Sequence, residues 1–409
     1  MKPKNKRLKL TAAGVFLLFF ISLAPWCRAG EETNFKPLFP VDLKHEFPKS
    51  KKTFEEVKNL IMQQYYSDEI TEDALYWAAI QGMLRHISPP KAPELGKIWT
   101  AEEYDKIYLS RQGNQVSLGI KSTFNFDEGR LTVTEVLPNS PAESILNPFD
   151  HILRIDSQSL KGKTLQELNA LLEGKEGSEV KLTVNRDVKI FDVTLTRREF
   201  ETETLIISRL TDEIALVEIK QFTAKLSDKL KDELAKLKDE GFQKLIIDLR
   251  NNPGGVFAES LRTVELFLPE KQILLRTFQR EQKQQNYVSV NKKPFEFDIA
   301  ILVNPQTASS AEVLASALQD QQKALVIGTK TYGKGVFEKT FKLDNDFHVK
   351  FITGTMYSPK GQSWQGRGLT PDFLIKQDGK TLAALLKLEV NQRFRKDVAM
   401  ITAYKLLMR

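Results

Sequence analysis

Two short segments of the chain place a serine and a lysine where the pair could cleave an acyl bond. TASSAE at 307–312 puts Ser309 among small residues, and TYGKG at 331–335 puts Lys334 between glycines, 25 positions later. A serine hydroxyl becomes a good nucleophile when a neighbouring base takes its proton, and a neutral lysine can be that base. Histidine is the commoner base, but none of the four histidines lies in a motif with a serine and an acid: His45, His86, His151 and His348. The two segments therefore offer a candidate Ser-Lys dyad, although the pair by itself favours ordinary surface or capping roles for Ser309, Ser310 and Lys334, and the motifs around it change that balance.

A second motif could stabilise the negative charge that develops on an attacked carbonyl oxygen. DLRNNPGG at 248–255 follows an apolar run and ends in Gly254 and Gly255, whose backbone N–H groups can approach a ligand closely. The N–H of Ser310, at the start of the helix predicted after Ser309, is the other candidate donor. Simpler interpretations stay open: an αL turn for the glycines, and N-capping for the two serines.

Alternating strands and helices after residue 205 would bring these segments together. Apolar strands are predicted at 214–220, 244–250, 298–304 and 324–328, with helices at 225–240, 256–268 and 309–319. Continuously apolar strands indicate a sheet that is buried on both faces, so this part is predicted to be a layered α/β domain. Ser309 would then lie at a strand-to-helix turn, the position that other serine hydrolases use for the nucleophile.

The rest of the chain divides into parts of different character. Residues 53–65 and 72–86 have apolar residues at helical spacing and predict two packed helices, and 101–108 is predicted as a short third helix. Residues 116–198 contain short β-rich runs, among them 116–120 and 189–196, and one helix at 163–174, which predicts a compact β-rich module. The basic segment 379–409 is predicted to be helical and to pack on the core or tether the chain.

The N-terminus has the pattern of a secretory leader. A basic stretch precedes the apolar run LTAAGVFLLFFISLA at 10–24, and Cys27, Arg28 and Ala29 then offer a cleavage site after 29. We therefore expect secretion across the inner membrane, to the periplasm, with an uncleaved membrane anchor as the alternative.

Composition narrows the function classes. The 409 residues are 41% hydrophobic and 28% charged, as in globular proteins, and the net charge is +7. Six of the basic residues lie in the leader, so the remainder has a charge of about +1 and indicates no nucleic-acid partner. The one cysteine also lies in the leader, which argues against disulfides and thiol chemistry, and we expect no metal and no cofactor.

Several segments, in order, resemble the carboxyl-terminal processing (tail-specific) proteases. They are the N-terminal helical segment, SLGI at 117–120 with NSPAE at 139–143, DLRNNPGG, TASSAEVLASALQD, TYGKG, and WQGRGLTPD at 364–372. The resemblance covers roughly 50–375 and includes the family's spacing between serine and lysine. It implies an α/β multidomain fold: a helical segment, a PDZ-like β-rich module, and a protease core of the ClpP/crotonase-like type.

The resemblance also implies roles for individual residues. Ser309 corresponds to the nucleophile and Lys334 to the general base, while Gly255 or Gly254 and the Ser310 N–H form the oxyanion hole. In the PDZ-like module, Ser117, Leu118, Gly119 and Ile120 would bind the carboxylate of a protein C-terminus, and the adjacent strand would accept the peptide by β-augmentation. The helix at 163–174 would form the other wall, and its leucines are assigned to the pocket or to the core: Leu165, Leu168 and Leu172.

Two positions depart from the family pattern. Glu338 stands where the family has a glutamine that orients the lysine, and a carboxylate there favours the ammonium form over the amine that a base requires. Serine and alanine are also transposed after Ser309, which leaves Ser310 as a minor rival nucleophile.

The expected function is a secreted serine endopeptidase that reads protein C-termini and works through an acyl-enzyme. Glu338 keeps open a weak or inactive peptide-binding scaffold with the same fold, and a hydrolase of small acyl esters is a third class. The expected divisions are the leader at 1–29, a helical domain at 30–108, the PDZ-like domain at 109–200, the core at 201–378 and the extension at 379–409. Its partners would be protein or peptide substrates, with an adaptor or a homo-oligomer as further options.

Overall fold

The computed structural model describes residues 50–67, 69–89 and 92–409. The leader predicted at 1–29 and the arm predicted at 30–50, except for Ser50, lie outside these residues. The α-helices of the described part are α1 Ser50–Gln64, α2 Glu72–His86, α3 Ala101–Gln112, α4 Leu165–Leu172, α5 Leu226–Asp239, α6 Phe257–Glu265, α7 Ser310–Asp320, α8 Gly379–Leu385, α9 Val390–Phe394 and α10 Val398–Leu407. None of these helices combines the length and the hydropathy needed to span a membrane.

The first nine strands belong to the N-terminal half of the described chain. They are β1 Lys97–Trp99, β2 Asn114–Ser117, β3 Ile120–Asn125, β4 Arg130–Val136, β5 His151–Ile155, β6 Gln158–Ser159, β7 Glu179–Arg186, β8 Lys189–Thr196 and β9 Arg198–Glu201. The remaining strands are β10 Leu205–Arg209, β11 Ile214–Ile219, β12 Lys244–Asp248, β13 Ile273–Gln279, β14 Gln284–Val288, β15 Asp298–Val303, β16 Ala324–Gly328, β17 Val336–Lys342, β18 His348–Tyr357 and β19 Phe373–Leu374.

Capping residues mark the ends of the N-terminal helices. Thr71 caps α2 by accepting a hydrogen bond from Ala74 N, and Thr100 forms a capping box with Glu103 at the start of α3. The third helix was predicted at 101–108 and continues to Gln112, where Gly113 ends it with a φ of 88°.

The β-rich module is an antiparallel sheet around its own apolar core. Its strand order is β3-β4-β5-β7-β8, and α4 contributes the buried Leu168 to the core beneath the sheet. The run predicted as one strand at 116–120 is two strands, because Gly119 has a φ of 77° and turns the chain between β2 and β3. β2 pairs instead with β9, so a two-stranded ribbon joins the module to the flanking elements.

The C-terminal half contains the layered α/β domain that the apolar strands predict. Its six-stranded sheet has the order β10-β11-β12-β15-β16-β19, in which β10 is antiparallel and the other neighbours are parallel. Helices α5, α6 and α7 contribute to the core on one face, and α10 covers the other with Met400, Ala403 and Leu407. The C-terminal segment therefore forms part of the domain's second layer.

A second sheet carries the strands next to the lysine loop. β18 lies between β1 and β13, β14 extends the sheet beyond β13, and β17 also pairs with β18. Local patterns do not predict β1, β13 or β14, because β1 pairs with the distant β18 and β14 consists mostly of polar residues. This sheet ties residues 97–99 of the helical segment to the C-terminal half of the molecule.

Candidate active site

Ser309 lies at a strained turn between β15 and α7. Its φ of 55° and ψ of −119° are those of the first central residue of a type II′ turn, a position that glycine dominates. The side chain is half-buried, and the following residue Ser310 begins the helix. The expected strand-to-helix position is therefore observed, with the backbone strain that such turns store at functional sites.

Lys334 lies in the loop between β16 and β17, and its backbone is held on both sides. Its N–H donates to Glu312 Oε2 at 2.8 Å, and its carbonyl accepts from Trp364 Nε1 at 3.0 Å. The next N–H, of Gly335, donates to Gln365 Oε1 at 2.6 Å. The WQ pair of the 364–372 motif therefore acts on the backbone around the lysine.

A buried carboxylate, Glu312, joins the serine turn to the lysine loop. Its Oε2 accepts from the N–H groups of Ser309 at 2.9 Å and Lys334 at 2.8 Å, and its Oε1 accepts from Gly333 N at 2.7 Å and from the Thr331 hydroxyl. Burial raises the pKa of Glu312 above its usual value, although all four hydrogen bonds favour the ionised form. One side chain thus sets the relative position of the two proposed reactive residues.

The two glycines of DLRNNPGG differ in what their N–H groups do. Gly254 N donates to Asn252 Oδ1 at 2.8 Å, whereas Gly255 N and Ser310 N donate to no acceptor within the described residues. Gly255 lies beside Phe222: the Phe222 N–H donates to Gly254 O, and the Phe222 carbonyl accepts from Val256 N. The Gly255 N–H therefore points away from Phe222. This geometry favours Gly255 over Gly254 as the oxyanion donor that acts with Ser310.

Both glycines are required by close backbone approach. A Cβ on Gly254 would lie 2.7 Å from the Cβ of Ser309, and a Cβ on Gly255 would lie 2.1 Å from the carbonyl oxygen of Phe222. The positive φ values of 96° and 146° add a second reason for glycine. The loop is therefore packed directly against the proposed nucleophile.

Glu338 is the side chain that faces Lys334. Its Oε1 lies 2.9 Å from Lys334 Nζ, and the two side chains are 13% and 22% exposed. Within the described residues, no hydrogen bond joins Lys334 Nζ to Ser309 Oγ. Lys334 thus points at the residue that departs from the family pattern, while its backbone stays fastened to the serine turn.

A buried ion-pair network supports the glycine loop from below. Arg250 pairs with Asp248 at 2.6 Å and with Asp397 of the C-terminal segment at 2.7 Å. Burial by itself would raise the pKa of Asp248, but the Arg250 guanidinium outweighs it and lowers the pKa below its usual value. The C-terminal segment therefore reaches the base of the proposed oxyanion loop.

The SLGI residues join β2 to β3, the edge strand of the module's sheet. Leu118 is buried in the module's core, and Gly119 N donates to Ser117 Oγ at 3.1 Å. Ile120 begins β3, whose outer edge pairs with no strand of the described residues. An unpaired edge strand beside α4 suits the addition of a peptide strand.

Sequence reasoning did not assign roles to four residues that position the site: Asn252, Glu312, Trp364 and Gln365. One signal was available, because Ser309 and Glu312 have the S-x-x-E spacing of a capping box. Within the described residues, no cluster of His, Cys, Asp and Glu could hold a metal ion.

Two known families match different parts of the chain, one the layered α/β domain and the other the β-rich module. Residues 213–375 match the model of peptidase family S41, and residues 106–196 match the model of the PDZ domain. A probable CtpA-like serine protease of Staphylococcus saprophyticus is 28% identical over 329 residues, which are 80% of this chain and 65% of that protein. Its counterpart in Staphylococcus aureus strain bovine RF122 is 31% identical over 324 residues, 78% of this chain and 64% of the relative. The chain thus spans somewhat less than two thirds of the length of these curated relatives.

Solved structures share the fold. A photosystem II D1 C-terminal processing protease is 19% identical with a TM-score of 0.52, over 85% of this chain and 100% of that one. A putative S41 protease from Bacteroides fragilis is 16% identical with a TM-score of 0.58, over 89% and 98%. The two family matches show that the chain contains a peptidase family S41 domain and a PDZ domain, its relatives are named CtpA-like serine proteases, and the solved structures have the same fold.

Proposed function

We propose that the chain is a serine endopeptidase in which Ser309 is the nucleophile and Lys334 the general base. The observation that carries the proposal is the Glu312 carboxylate, which binds the backbone N–H groups of both residues and so fixes the serine turn against the lysine loop. Two N–H groups without an acceptor in the described residues, those of Gly255 and Ser310, lie beside the serine. These are the parts that acyl transfer requires.

The reaction would proceed in two halves. Ser309 Oγ attacks the scissile carbonyl while its proton passes to Lys334 Nζ, and the oxyanion is held by the N–H groups of Gly255 and Ser310. Lys334 then returns the proton to the leaving amine as the C–N bond breaks, which leaves an acyl-enzyme on Ser309. Water, deprotonated by Lys334, hydrolyses the ester and restores the serine. Lys334 must first turn from Glu338 to Ser309, a rearrangement consistent with catalytic hydrogen bonds that tighten only with substrate bound.

Substrate would be recruited through the PDZ domain. A protein C-terminus would add as a strand along β3, with its carboxylate at the 117–120 loop, and cleavage would follow in the protease domain. We also propose that the protein is exported through its 1–29 leader to the periplasm, with anchoring by an uncleaved leader as the alternative. No cofactor enters this scheme.

The first experiment is proteolysis of an unstructured protein by the mature wild type, Ser309→Ala, Lys334→Ala and Ser310→Ala. Ser310→Ala is the matched control because it removes the neighbouring hydroxyl but keeps the backbone N–H. We expect loss of cleavage in the first two variants and its retention in the third. Full activity in Ser309→Ala would refute the assignment, and loss only in Ser310→Ala would move the nucleophile to the rival serine.

A non-catalytic peptide-binding protein is the second candidate, because Lys334 Nζ lies 2.9 Å from the Glu338 carboxylate. It predicts binding of C-terminal peptides without cleavage at any pH, both in the wild type and in Glu338→Gln. Calorimetric titration of such peptides, run beside the proteolysis assay, separates the two functions.

A further inference from the structure

Glu338 creates a chemical problem for the proposed dyad. Its carboxylate lies 2.9 Å from Lys334 Nζ, so the two side chains form an ion pair. A general base must nevertheless lose its proton before it can accept one from Ser309. A second cation near Glu338 would solve the problem, because the carboxylate would keep a partner after Lys334 becomes neutral.

Lys350 lies on the same face of the sheet as Glu338. In the antiparallel pair of β17 and β18, Glu338 lies opposite Ile352, and Thr340 lies opposite Lys350. Residues two apart in a strand share a face, so Lys350 is the diagonal cross-strand neighbour of Glu338, at about 7–8 Å. Long side chains interact across such diagonals.

Lys350 has charged neighbours on several surrounding elements. Lys97 on β1 lies directly opposite Lys350, Arg111 lies on α3, and Lys334 and Glu338 belong to the active site. Burial lowers the pKa of Lys350, the three cations lower it further, and Glu338 acts in the other direction. Of these neighbours in the described part of the chain, only Glu338 is acidic, so it is the one that opposes the lowering of the Lys350 pKa.

The Trp99 ring packs against Lys350. Its Nζ lies 5.4 Å from the ring centroid of the buried Trp99, which is within the range of a cation–π interaction. His348, two residues earlier on the same strand and therefore on the same face, stacks on Tyr104 with 3.9 Å between ring centroids. The lysine is thus packed against the sheet and is half-buried.

We propose that Lys350 is a positioning residue of the active site that serves as the second counter-ion of Glu338, which frees Lys334 to act as the base. The inference rests on the proposed Ser309–Lys334 function. In the reactive state the Lys350 ammonium offsets the Glu338 carboxylate, and Lys334 is the neutral amine that receives the Ser309 proton. In this arrangement two amines share one carboxylate.

The pH dependence of kcat/KM tests this role with Lys350→Gln and Lys350→Arg. We expect Lys350→Gln to move the acid limb up by about one pH unit, with about a tenfold loss at neutral pH that falls on kcat more than on KM. Lys350→Arg keeps a cation and should keep the limb. In a Glu338→Gln background the shift caused by Lys350→Gln should be less than half as large. Lys339→Gln, which removes an exposed lysine next to Glu338 on β17, is the matched control and should leave the limb in place.

A second measurement needs no turnover. Trace acetylation of lysines as a function of pH, read by mass spectrometry in the Ser309→Ala protein, gives the pH at which the Lys334 amine becomes reactive. Lys350→Gln should raise that pH, and melting curves check that each variant is folded. An unmoved acid limb and an unmoved Lys334 titration, or equal shifts with and without Glu338, would overturn the inference. A raised Lys334 titration in a wild-type protein that cleaves nothing would instead refute the proposed function and leave the counter-ion role standing.

Discussion

The backbone of Ser309 makes a prediction that does not depend on knowing a substrate. A non-glycine residue held at a φ of 55° and a ψ of −119° stores strain of about 1–3 kcal/mol. Glycine relieves that strain because it has no Cβ, whereas alanine keeps it. We therefore expect Ser309→Gly to be more stable than Ser309→Ala, although neither variant can form an acyl-enzyme.

The size of the difference follows from two opposing contributions. Relief of strain favours glycine by about 1–3 kcal/mol, and the greater freedom of glycine in the unfolded chain opposes it by about 0.5–1 kcal/mol. Glycine also loses the packing of the Ser309 Cβ beside Gly254, a small number of atomic contacts. The net expectation is about 1 kcal/mol in favour of Ser309→Gly.

Ser316 provides the matched control in the same helix. It is buried in the interior of α7, where glycine is less favourable than alanine by about 1 kcal/mol. Ser316→Gly should therefore be less stable than Ser316→Ala. The same pair of substitutions, seven residues apart, is expected to change stability in opposite directions.

Urea unfolding followed by circular dichroism and tryptophan fluorescence measures both pairs. Trp364 is 2% exposed and bonds the lysine loop, so its emission reports on the protease domain. The expected result is a higher midpoint for Ser309→Gly than for Ser309→Ala, at an unchanged slope. If Ser309→Gly is the less stable of the two while the Ser316 pair behaves normally, the reasoning from strain is wrong.

Three further predictions concern the groups that support the site. Glu312→Gln leaves at least one buried N–H without its acceptor, which costs about 1–3 kcal/mol of stability and should lower kcat by about tenfold or more. Glu259→Gln, at a buried position on α6, is the control and should affect stability alone. Steady-state kinetics and melting curves distinguish the two variants. Arg250→Met leaves two buried aspartates unpaired, so we expect a loss of about 3–5 kcal/mol and faster proteolytic removal of the C-terminal segment in a time course, and wild-type resistance would contradict this. Burial would raise the pKa of Asp150, but the Arg186 guanidinium outweighs burial and lowers that pKa. The pair therefore stabilises the PDZ domain at pH values above the ordinary carboxyl pKa, and this stabilisation is lost as the pH falls through the folded-state pKa. Acid titration of Asp150→Asn should therefore show a flatter loss of stability than the wild type.

Local patterns in the chain were enough to predict most of the regular elements. The helix predicted at 72–86 and the strands predicted at 189–196 and 324–328 have the predicted bounds. Their periodicity and end signals lie within one continuous stretch, so no distant partner is needed to recognise them. The layered α/β class follows from continuously apolar strands in the same way.

Elements that depend on distant partners were not predictable. β1 is three residues long and exists through its pairing with β18, some 250 positions later in the chain. β13 and β14 pair with each other across a short turn, but β13 shows little alternation and β14 is mostly polar, so local patterns mark neither strand. Long-range pairing leaves little trace in local composition.

The active site divides along the same line. Residue types, motif order and the spacing of Ser309 and Lys334 determined the family, the candidate dyad and the unusual Glu338 from the sequence by itself, because these are properties of short segments. Tertiary structure alone decided that the Gly255 N–H, unlike that of Gly254, has no acceptor in the described part of the chain, that Glu312 binds both the serine turn and the lysine loop, and that Lys350 is the diagonal neighbour of Glu338. Each of these depends on which atoms meet across separate elements of the fold, because hydrogen bonds and charge interactions act between atoms that are close in space.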